Sequence, residues 1–262
     1  MIVRKEPDGQ TLLVGQTDHS RLVGQFGAHW GNERFAAPEP FESVARAAAF
    51  HDFGWLRYET APAFNPVTGE TPNFREIPTD EKKLEEYRWC FEWFLGPDPY
   101  AGTIVSMHRT GLWRGRYDAI EHPAHGRRQQ PPAVDAFVAE QEAHRAQTIA
   151  ERAWDPRQVR TNYRLLQVWD LLGLYFACQQ PYDDYIEPVP TSYSDADGEG
   201  TRMTLKPLDG NRVAFDPFPF NERPLKVQLA YRRLKQRAYP DAAAFGHAYF
   251  QAPLELLEFE LV

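Results

Sequence analysis

Cysteine is scarce in this chain, because Cys90 and Cys178 are the only two among 262 residues. Both lie in apolar sequence, within "YRWCFEWFL" and at the end of "LLGLYFAC". This setting favours buried free thiols over a disulfide. It also leaves no thiolate cluster that would favour a closed structural zinc site.

Positive charge is also in deficit, because 29 Lys and Arg face 37 Asp and Glu. The excess of acid argues against nucleic-acid binding as the main task. No run of about 20 apolar residues occurs, so a membrane span is not expected, and the first 15 residues are not apolar enough for a secretory signal. We therefore expect a cytoplasmic protein with no nucleic-acid or membrane partner, and this composition still permits a small anionic substrate. The sequence is compatible with a homo-oligomer.

The hydrophobic pattern predicts a mainly α fold, α+β overall. Turn residues Pro7-Asp8-Gly9 between apolar runs predict an N-terminal β-hairpin, and Thr17 or Asp18 suits the N-cap of the helix that follows. Helices are predicted over residues 18–30, 42–51, 81–95, 99–114, 133–153 and 156–178. Between the second and third of these helices, residues 60–78 predict a long loop, which we expect to lie near the functional site. Short strands with turns are predicted after Pro181, and the last 20 residues suit a strand or an edge helix.

A His-Asp pair, His51-Asp52, ends an alanine-rich helical segment and is followed by Phe53 and Gly54. His19 opens an earlier helix, and Asp170 interrupts the apolar run "LLQVWDLLGL". A buried carboxylate needs a counter-charge or a bound cation. Histidine and carboxylate together suit Mn, Fe, Co, Ni or Zn. The order His19, His51-Asp52, Asp170 therefore predicts a metal centre built from inward side chains of facing helices.

Each of these residues has a structural alternative. His51 can complement a helix dipole at the end of its helix, while Asp52 takes part in a turn and Asp18 serves as an N-cap. His29 competes with His19, since ten residues place the two about 80° apart around one helix. For His108, contact with metal or substrate and simple burial are equally favoured.

The segments "HSRLVGQ" at His19, "AAAFHDFGW" at His51-Asp52 and "LLQVWDLLGL" at Asp170 resemble the HD-type superfamily of metal-dependent phosphohydrolases. Residues 16–55 are also similar to a bacterial family of unknown function, and this similarity extends to about Cys178, arguably over the whole chain. The resemblance implies an HD-like helical bundle, to which the local sequence pattern adds an N-terminal β-hairpin and a small C-terminal antiparallel β-region. The change of pattern after Pro181 divides the chain into a helical domain, 1–180, and a β-rich extension, 181–262, that packs on the bundle.

The same resemblance implies that His19, His51, Asp52 and Asp170 bind a divalent transition metal. His108 lies where many two-metal members have an additional histidine, whereas His122 and His125 lie in sequence typical of a loop, which favours one metal ion over two. Trp55 lies where many members carry a lysine just after the glycine, and this departure leaves the substrate and hydrolysis itself open.

The expected activity is hydrolysis of a phosphate ester or nucleotide-like molecule by a metal-activated water. Asp52, His108 and Arg109 are the expected catalytic residues, with His108 protonating the leaving group or orienting the water and an arginine offsetting transition-state charge. Arg34, Arg109 and Arg114 are candidates to bind the anion, and Trp30, Trp55, Trp113 and Trp169 to line the site or fill the core. The alternatives are a di-iron or mononuclear iron oxygenase, a non-catalytic ligand-binding domain and a metal-free structural protein.

Overall fold

The structure is a computed structural model that describes residues 1–120 and 130–262. Its helices are α1 (Gln16–His29), α2 (Phe41–Phe50), α3 (Leu56–Thr60), α4 (Glu81–Arg88), α5 (Pro99–Gly111), α6 (Pro132–Glu151), α7 (Pro156–Cys178) and α8 (Ala242–Gln251). Its strands are β1 (Ile2–Lys5), β2 (Thr11–Val14), β3 (Asp184–Val189), β4 (Thr201–Pro207), β5 (Arg212–Asp216), β6 (Leu225–Leu234) and β7 (Leu254–Leu261). Short 3-10 helices cover Phe53–Trp55 and Gly115–Asp118, and a π-helix, Trp89–Phe94, continues α4.

The strands form one curled, mixed sheet in the order β1-β2-β6-β7-β5-β4-β3. Neighbouring strands are antiparallel except β5 and β7, which are parallel. The N-terminal hairpin joins the C-terminal strands because β2 pairs with β6, with Thr11 opposite Leu234. All four residues of β2 are buried, as expected for a strand inside a sheet.

The predicted mainly α, HD-like helical bundle with a small C-terminal β-region is therefore wrong. A continuous seven-stranded sheet replaces it, and helices pack against that sheet. The error came from β2, whose partner in β6 lies more than 200 positions away in sequence. Local periodicity identifies a strand but does not identify a distant partner. The division at residue 180 as a domain boundary stays a prediction, although the pairing of β2 with β6 crosses it.

Helices α1 and α7 cover the sheet, and α2 and α5 pack on them. The contact of α1 with α2 is close because Gly24 faces Ala49: a Cβ on Gly24 would lie 2.7 Å from the Ala49 Cβ. At the far end of α1, Trp30 meets Trp169 of α7 edge to face, with ring centroids 5.8 Å apart. These contacts bring one end of α2 to the middle of α7.

Some local features differ from the predictions made from the sequence, whereas others agree with them. Neither Thr17 nor Asp18 is the N-cap of α1, because Gly15 takes that position. Asp18 lies in the first turn and pairs with Arg21 at 2.7 Å. Cys90 and Cys178 are free thiols, the first buried and the second half-buried. The predicted loop around His122 and His125 lies outside the described residues. No helix in the described part of the chain is long and apolar enough to cross a bilayer.

Candidate metal centre

His19 and Asp170 meet where α1 packs against α7. Nε2 of His19 lies 3.1 Å from Oδ1 of Asp170, and both side chains are buried. This contact depends on Gly173, one turn after Asp170. A Cβ on Gly173 would lie 2.5 Å from Cε1 of His19, closer than side-chain carbons approach one another. The glycine therefore makes room for the imidazole ring against α7.

His51 ends α2 with its ring held in one tautomer. Its Nδ1 lies 2.9 Å from the carbonyl oxygen of Ala48, which can only accept, so Nδ1 carries the proton and donates it. Ser20 Oγ lies 3.0 Å from the same nitrogen and accepts the backbone N–H of Asp52 at 3.3 Å. Nε2 of His51 is left with a free lone pair and has no hydrogen-bond partner among the described residues. A backbone carbonyl on the second nitrogen is the usual support of a metal-binding histidine.

The carboxylates of Asp52 and Asp170 use their two oxygens in the same way. Asp52 accepts a hydrogen bond from Arg109 on Oδ1 at 2.8 Å, and its Oδ2 lies 3.5 Å from His51 Nε2. Asp170 accepts one from Arg116 on Oδ2 at 3.0 Å, and its Oδ1 lies 3.6 Å from His51 Nε2. Each carboxylate thus accepts a hydrogen bond from an arginine on one oxygen and presents the other oxygen to His51 Nε2.

The spacing of these atoms fits a bound cation. Metal–ligand bonds of about 2.1 Å place neighbouring ligand atoms roughly 3.0 Å apart in an octahedron and roughly 3.4 Å apart in a tetrahedron. The separations given above run from 3.1 to 3.6 Å. Imidazole nitrogens with carboxylate oxygens form a donor set suited to Mn, Fe, Co, Ni or Zn. The residues present therefore fit a divalent transition metal.

The electrostatics of the buried cluster keep both acids charged. Burial alone raises the pKa of Asp170, but Arg116 and the histidines outweigh it and hold that pKa well below its usual range. Burial likewise opposes ionisation of Asp52, and His51 and Arg109 reverse the effect, so its pKa is lowered. Burial lowers the pKa of His51, whereas Asp52 and Asp170 raise it by more, so the net shift is upward. Without a metal, the two carboxylates therefore favour a proton on His51, at the position where a cation would bind.

His108, on α5, is held by a chain of hydrogen bonds from the same centre. Arg116 donates to the side-chain oxygen of Gln167, so the amide nitrogen of Gln167 faces Nδ1 of His108, at 3.0 Å, and donates to it. Burial holds the pKa of His108 well below its ordinary value, which leaves the ring neutral. With Nδ1 accepting, the proton of the neutral ring is on Nε2. The rings of His51 and His108 lie 4.7 Å apart, centroid to centroid.

A cavity of about 380 Å³ opens onto this centre. Within the described part of the chain, its charged and titratable lining residues are Asp52, Asp170, His108, Tyr87, Arg75, Lys83, Arg109 and Arg116. Phe74, Ile77 and Thr79 also line it, so the irregular segment that was predicted near the site does lie there. Arg75 and Leu174 line a second cavity as well, of about 260 Å³, whose walls include Tyr175, Tyr182 and Tyr185. The two cavities are thus neighbours along the surface.

Residues 1–236 match the profile of a family described as "Protein of unknown function (DUF3891)". The chain belongs to this family. The matched residues include every member of the centre, and α8 and β7 lie beyond them. No curated protein and no solved structure matches the chain. The predicted membership of a family of unknown function is confirmed, whereas the resemblance to HD-type phosphohydrolases is not shown by this match.

Other candidates lie apart from the centre of this DUF3891 chain. His29 is half-buried at the end of α1, with Nδ1 3.8 Å from a carboxylate oxygen of Glu222. Arg34 is exposed, and Arg114 pairs with Asp135 at 2.9 Å. Among the tryptophans, Trp55 and Trp113 line the cavity, whereas Trp30 and Trp169 are fully buried in the core. The structure does bring the six remaining candidates together at the centre: His19, His51, Asp52, Asp170, His108 and Arg109.

The sequence did not indicate Ser20, Lys83, Arg116 or Gln167. Gln167 could have been found, because it lies one helical turn before Asp170 on the same face of α7. Lys83 also had a signal, since it precedes Tyr87 by four residues and so shares the buried face of α4. Arg116 had none: it follows α5 in a left-handed conformation, with φ of 54°, that only the folded chain imposes.

Proposed function

We propose that this DUF3891 member is a metal-dependent hydrolase that acts on a phosphate ester or nucleotide-like anion. His19, His51, Asp52 and Asp170 would hold the divalent metal. One observation carries the proposal. Asp52 and Asp170 each bind an arginine through one carboxylate oxygen and present the other oxygen to His51 Nε2. This nitrogen lacks a hydrogen-bond partner among the described residues. The order of these four residues also resembles that of HD-type phosphohydrolases, although the fold is different.

A divalent ion bound by these side chains supplies a Lewis acid and lowers the pKa of a bound water. The chain's own residues do the rest. Arg109 and Arg116 fix the orientation of Asp52 and Asp170 and keep them ionised. Their charges also make the cavity favourable for an anion, because guanidinium groups suit phosphate oxygens.

His108 is the proton donor in this proposal. It lines the cavity, is neutral because of its burial, and carries its proton on Nε2 because Gln167 donates to Nδ1. A neutral imidazole in this tautomer can donate to the leaving oxygen of an ester. Trp55 and Trp113 bring apolar walls that exclude water from one side of the cavity.

Metal content tests the proposal. We would purify the wild-type protein, Asp52→Asn and the control Asp197→Asn without added metal or chelator, and measure elements and circular dichroism. Asp197 is suited to the control because it is a surface carboxylate paired with Arg160. Stoichiometric Mn, Co, Ni, Zn or Fe in the wild type and control, with near loss in Asp52→Asn, is expected. Metal-dependent release of phosphate from phosphomonoesters, phosphodiesters or nucleotides should follow the same pattern.

Two results would contradict the proposal. No metal in the wild type, even after reconstitution, would leave a ligand-binding or structural protein. Stoichiometric iron with substrate-dependent oxygen uptake and no phosphate release would favour the oxygenase alternative.

A further inference from the structure

Lys83 is a buried lysine in the cavity wall. It lies on α4 with only 3% of its surface exposed, whereas lysine is almost never fully buried unless it is paired. No carboxylate within residues 1–120 and 130–262 forms an ion pair with it. Its ammonium lies 3.8 Å from the centroid of the Trp55 ring and 3.4 Å from the carbonyl oxygen of Ile77. The aromatic face and one long hydrogen bond replace only part of the water that the ammonium loses.

The carboxylates that line the cavity among the described residues do not neutralise the charge of Lys83. Arg109 and Arg116 each pair with one of the two acids. Lys83 has no such partner among the described residues, and burial together with the nearby Arg109 lowers its pKa to about 7. Arg75, exposed at the edge where the two cavities meet, is likewise without an ion pair among the described residues. The described residues that line the cavity therefore carry more positive than negative charge even before a metal binds.

We propose that Lys83 is the anion-binding residue of the cavity and that it selects a phosphomonoester dianion over a phosphodiester monoanion. A monoester dianion presents three unesterified oxygens and two negative charges to a metal and an ammonium, whereas a diester presents two unesterified oxygens and one negative charge. An ammonium without a counter-ion gains most from the more highly charged group. The substrate class rests on the proposed function, but binding of the anion to Lys83 does not.

Calorimetric binding of methyl phosphate and dimethyl phosphate at pH 7, where Lys83 still carries a proton in a large fraction of molecules, tests this selection. The two probes differ in one methyl group and one negative charge. Wild-type protein, Lys83→Met, Lys83→Arg and the control Lys82→Met would be compared with Mn²⁺ present and absent. Lys82 is the matched control because it is the neighbouring lysine of α4 and is exposed.

Lys83→Met should bind methyl phosphate about tenfold more weakly or worse, the loss of one charge-assisted hydrogen bond, with dimethyl phosphate little changed. Lys82→Met should match the wild type, and Lys83→Arg should keep the preference for the dianion. Methionine fills similar volume and removes an unpaired buried charge, so the variant should fold. If it does not, Lys83→Gln provides the same comparison.

Wild-type affinity and preference in Lys83→Met would overturn the inference, as would an equal loss in Lys82→Met. A loss of the dianion in Lys83→Met while Mn²⁺ still binds would support it. If the wild type binds no metal but binds methyl phosphate through Lys83, the hydrolase proposal fails and the anion site stands. If metal and hydrolysis are present while Lys83→Met behaves as the wild type, only the anion site fails.

Discussion

His19 Nε2 lies 3.1 Å from Oδ1 of Asp170, although the two residues are 151 positions apart in the chain. Asp170 turns its second oxygen to Arg116, so a histidine and an arginine approach one carboxylate from different sides. This arrangement holds the acid ionised in a buried place and directs one oxygen toward His51. The same pattern recurs at Asp52 with Arg109. The following predictions depend on these contacts.

Arg116→Gln should weaken metal binding by about 10- to 100-fold, as is usual when a residue that supports a ligand is removed. The variant leaves Asp170 without its guanidinium and Gln167 without its donor. Titration of the metal-free protein with Zn²⁺ or Mn²⁺ would measure the loss. Arg114→Gln, which removes a surface pair with Asp135, should bind metal as the wild type does. Equal affinities in the two variants would contradict a supporting role for Arg116.

Gly173→Ala should displace His19 and reduce metal binding, because the new Cβ would lie 2.5 Å from the His19 ring. The strain should also lower the free energy of unfolding by about 1–3 kcal/mol, the usual cost of overpacking a core. Gly246→Ala is the control, because a Cβ at this helical position in α8 has no atom of the described residues within 4 Å. A small gain in the free energy of unfolding of about 0.4–1 kcal/mol is expected. Urea unfolding and metal titration check both. Wild-type metal affinity in Gly173→Ala would show that the ring is not confined by α7.

His108→Gln should lower kcat by about 100- to 10,000-fold, the usual contribution of a general acid, while the metal content stays stoichiometric. Gln167→Leu should have a smaller effect in the same direction, because it removes the donor that places the proton on Nε2. Steady-state kinetics on an active phosphomonoester, beside elemental analysis, would separate the two effects. Loss of metal in His108→Gln would instead make this histidine a ligand.

The stability of the metal-free protein should rise between pH 7 and about pH 10 because of Lys83. Its pKa falls from 10.5 to about 7 on folding, so the unfolded chain binds more protons than the folded one across this interval. The free energy of unfolding therefore increases with pH, by at most about 1.4 kcal/mol per pH unit from this group. Below pH 7 both states are protonated and the contribution is constant, at its least favourable value.

Urea unfolding of the wild type, Lys83→Met and Lys82→Met at pH 7 and pH 9.5 would measure this effect. Lys83→Met should be more stable than the wild type at pH 7, and the difference should shrink at pH 9.5. An advantage of Lys83→Met that does not change with pH would show that Lys83 keeps the same charge state in the folded and unfolded chain.

The local sequence predicted most of the helices and the residues that meet at the centre. The end of α2 at His51-Asp52 and the isolated Asp170 in an apolar helix were visible because helix periodicity and termination depend on residues within a few positions. The N-cap at Asp18 was wrong because Gly15 precedes the first turn and the Asp18 carboxylate turns to Arg21 instead. Lys83 and Gln167 had a helical signal, and Arg116 had none.

By itself, the sequence determined the chemistry available to this protein: imidazoles and carboxylates at the ends and middles of helices, an excess of acidic residues and few thiols. Only the tertiary structure decided that the hairpin β1–β2 joins β6 in one sheet and that Arg109 and Arg116 each hold one acid. It also left Lys83 in the cavity without an ion pair among the described residues. The reason is physical: helix and turn preferences are set by neighbours in the chain, whereas strand partners and counter-ions are chosen by packing between segments that lie far apart in sequence.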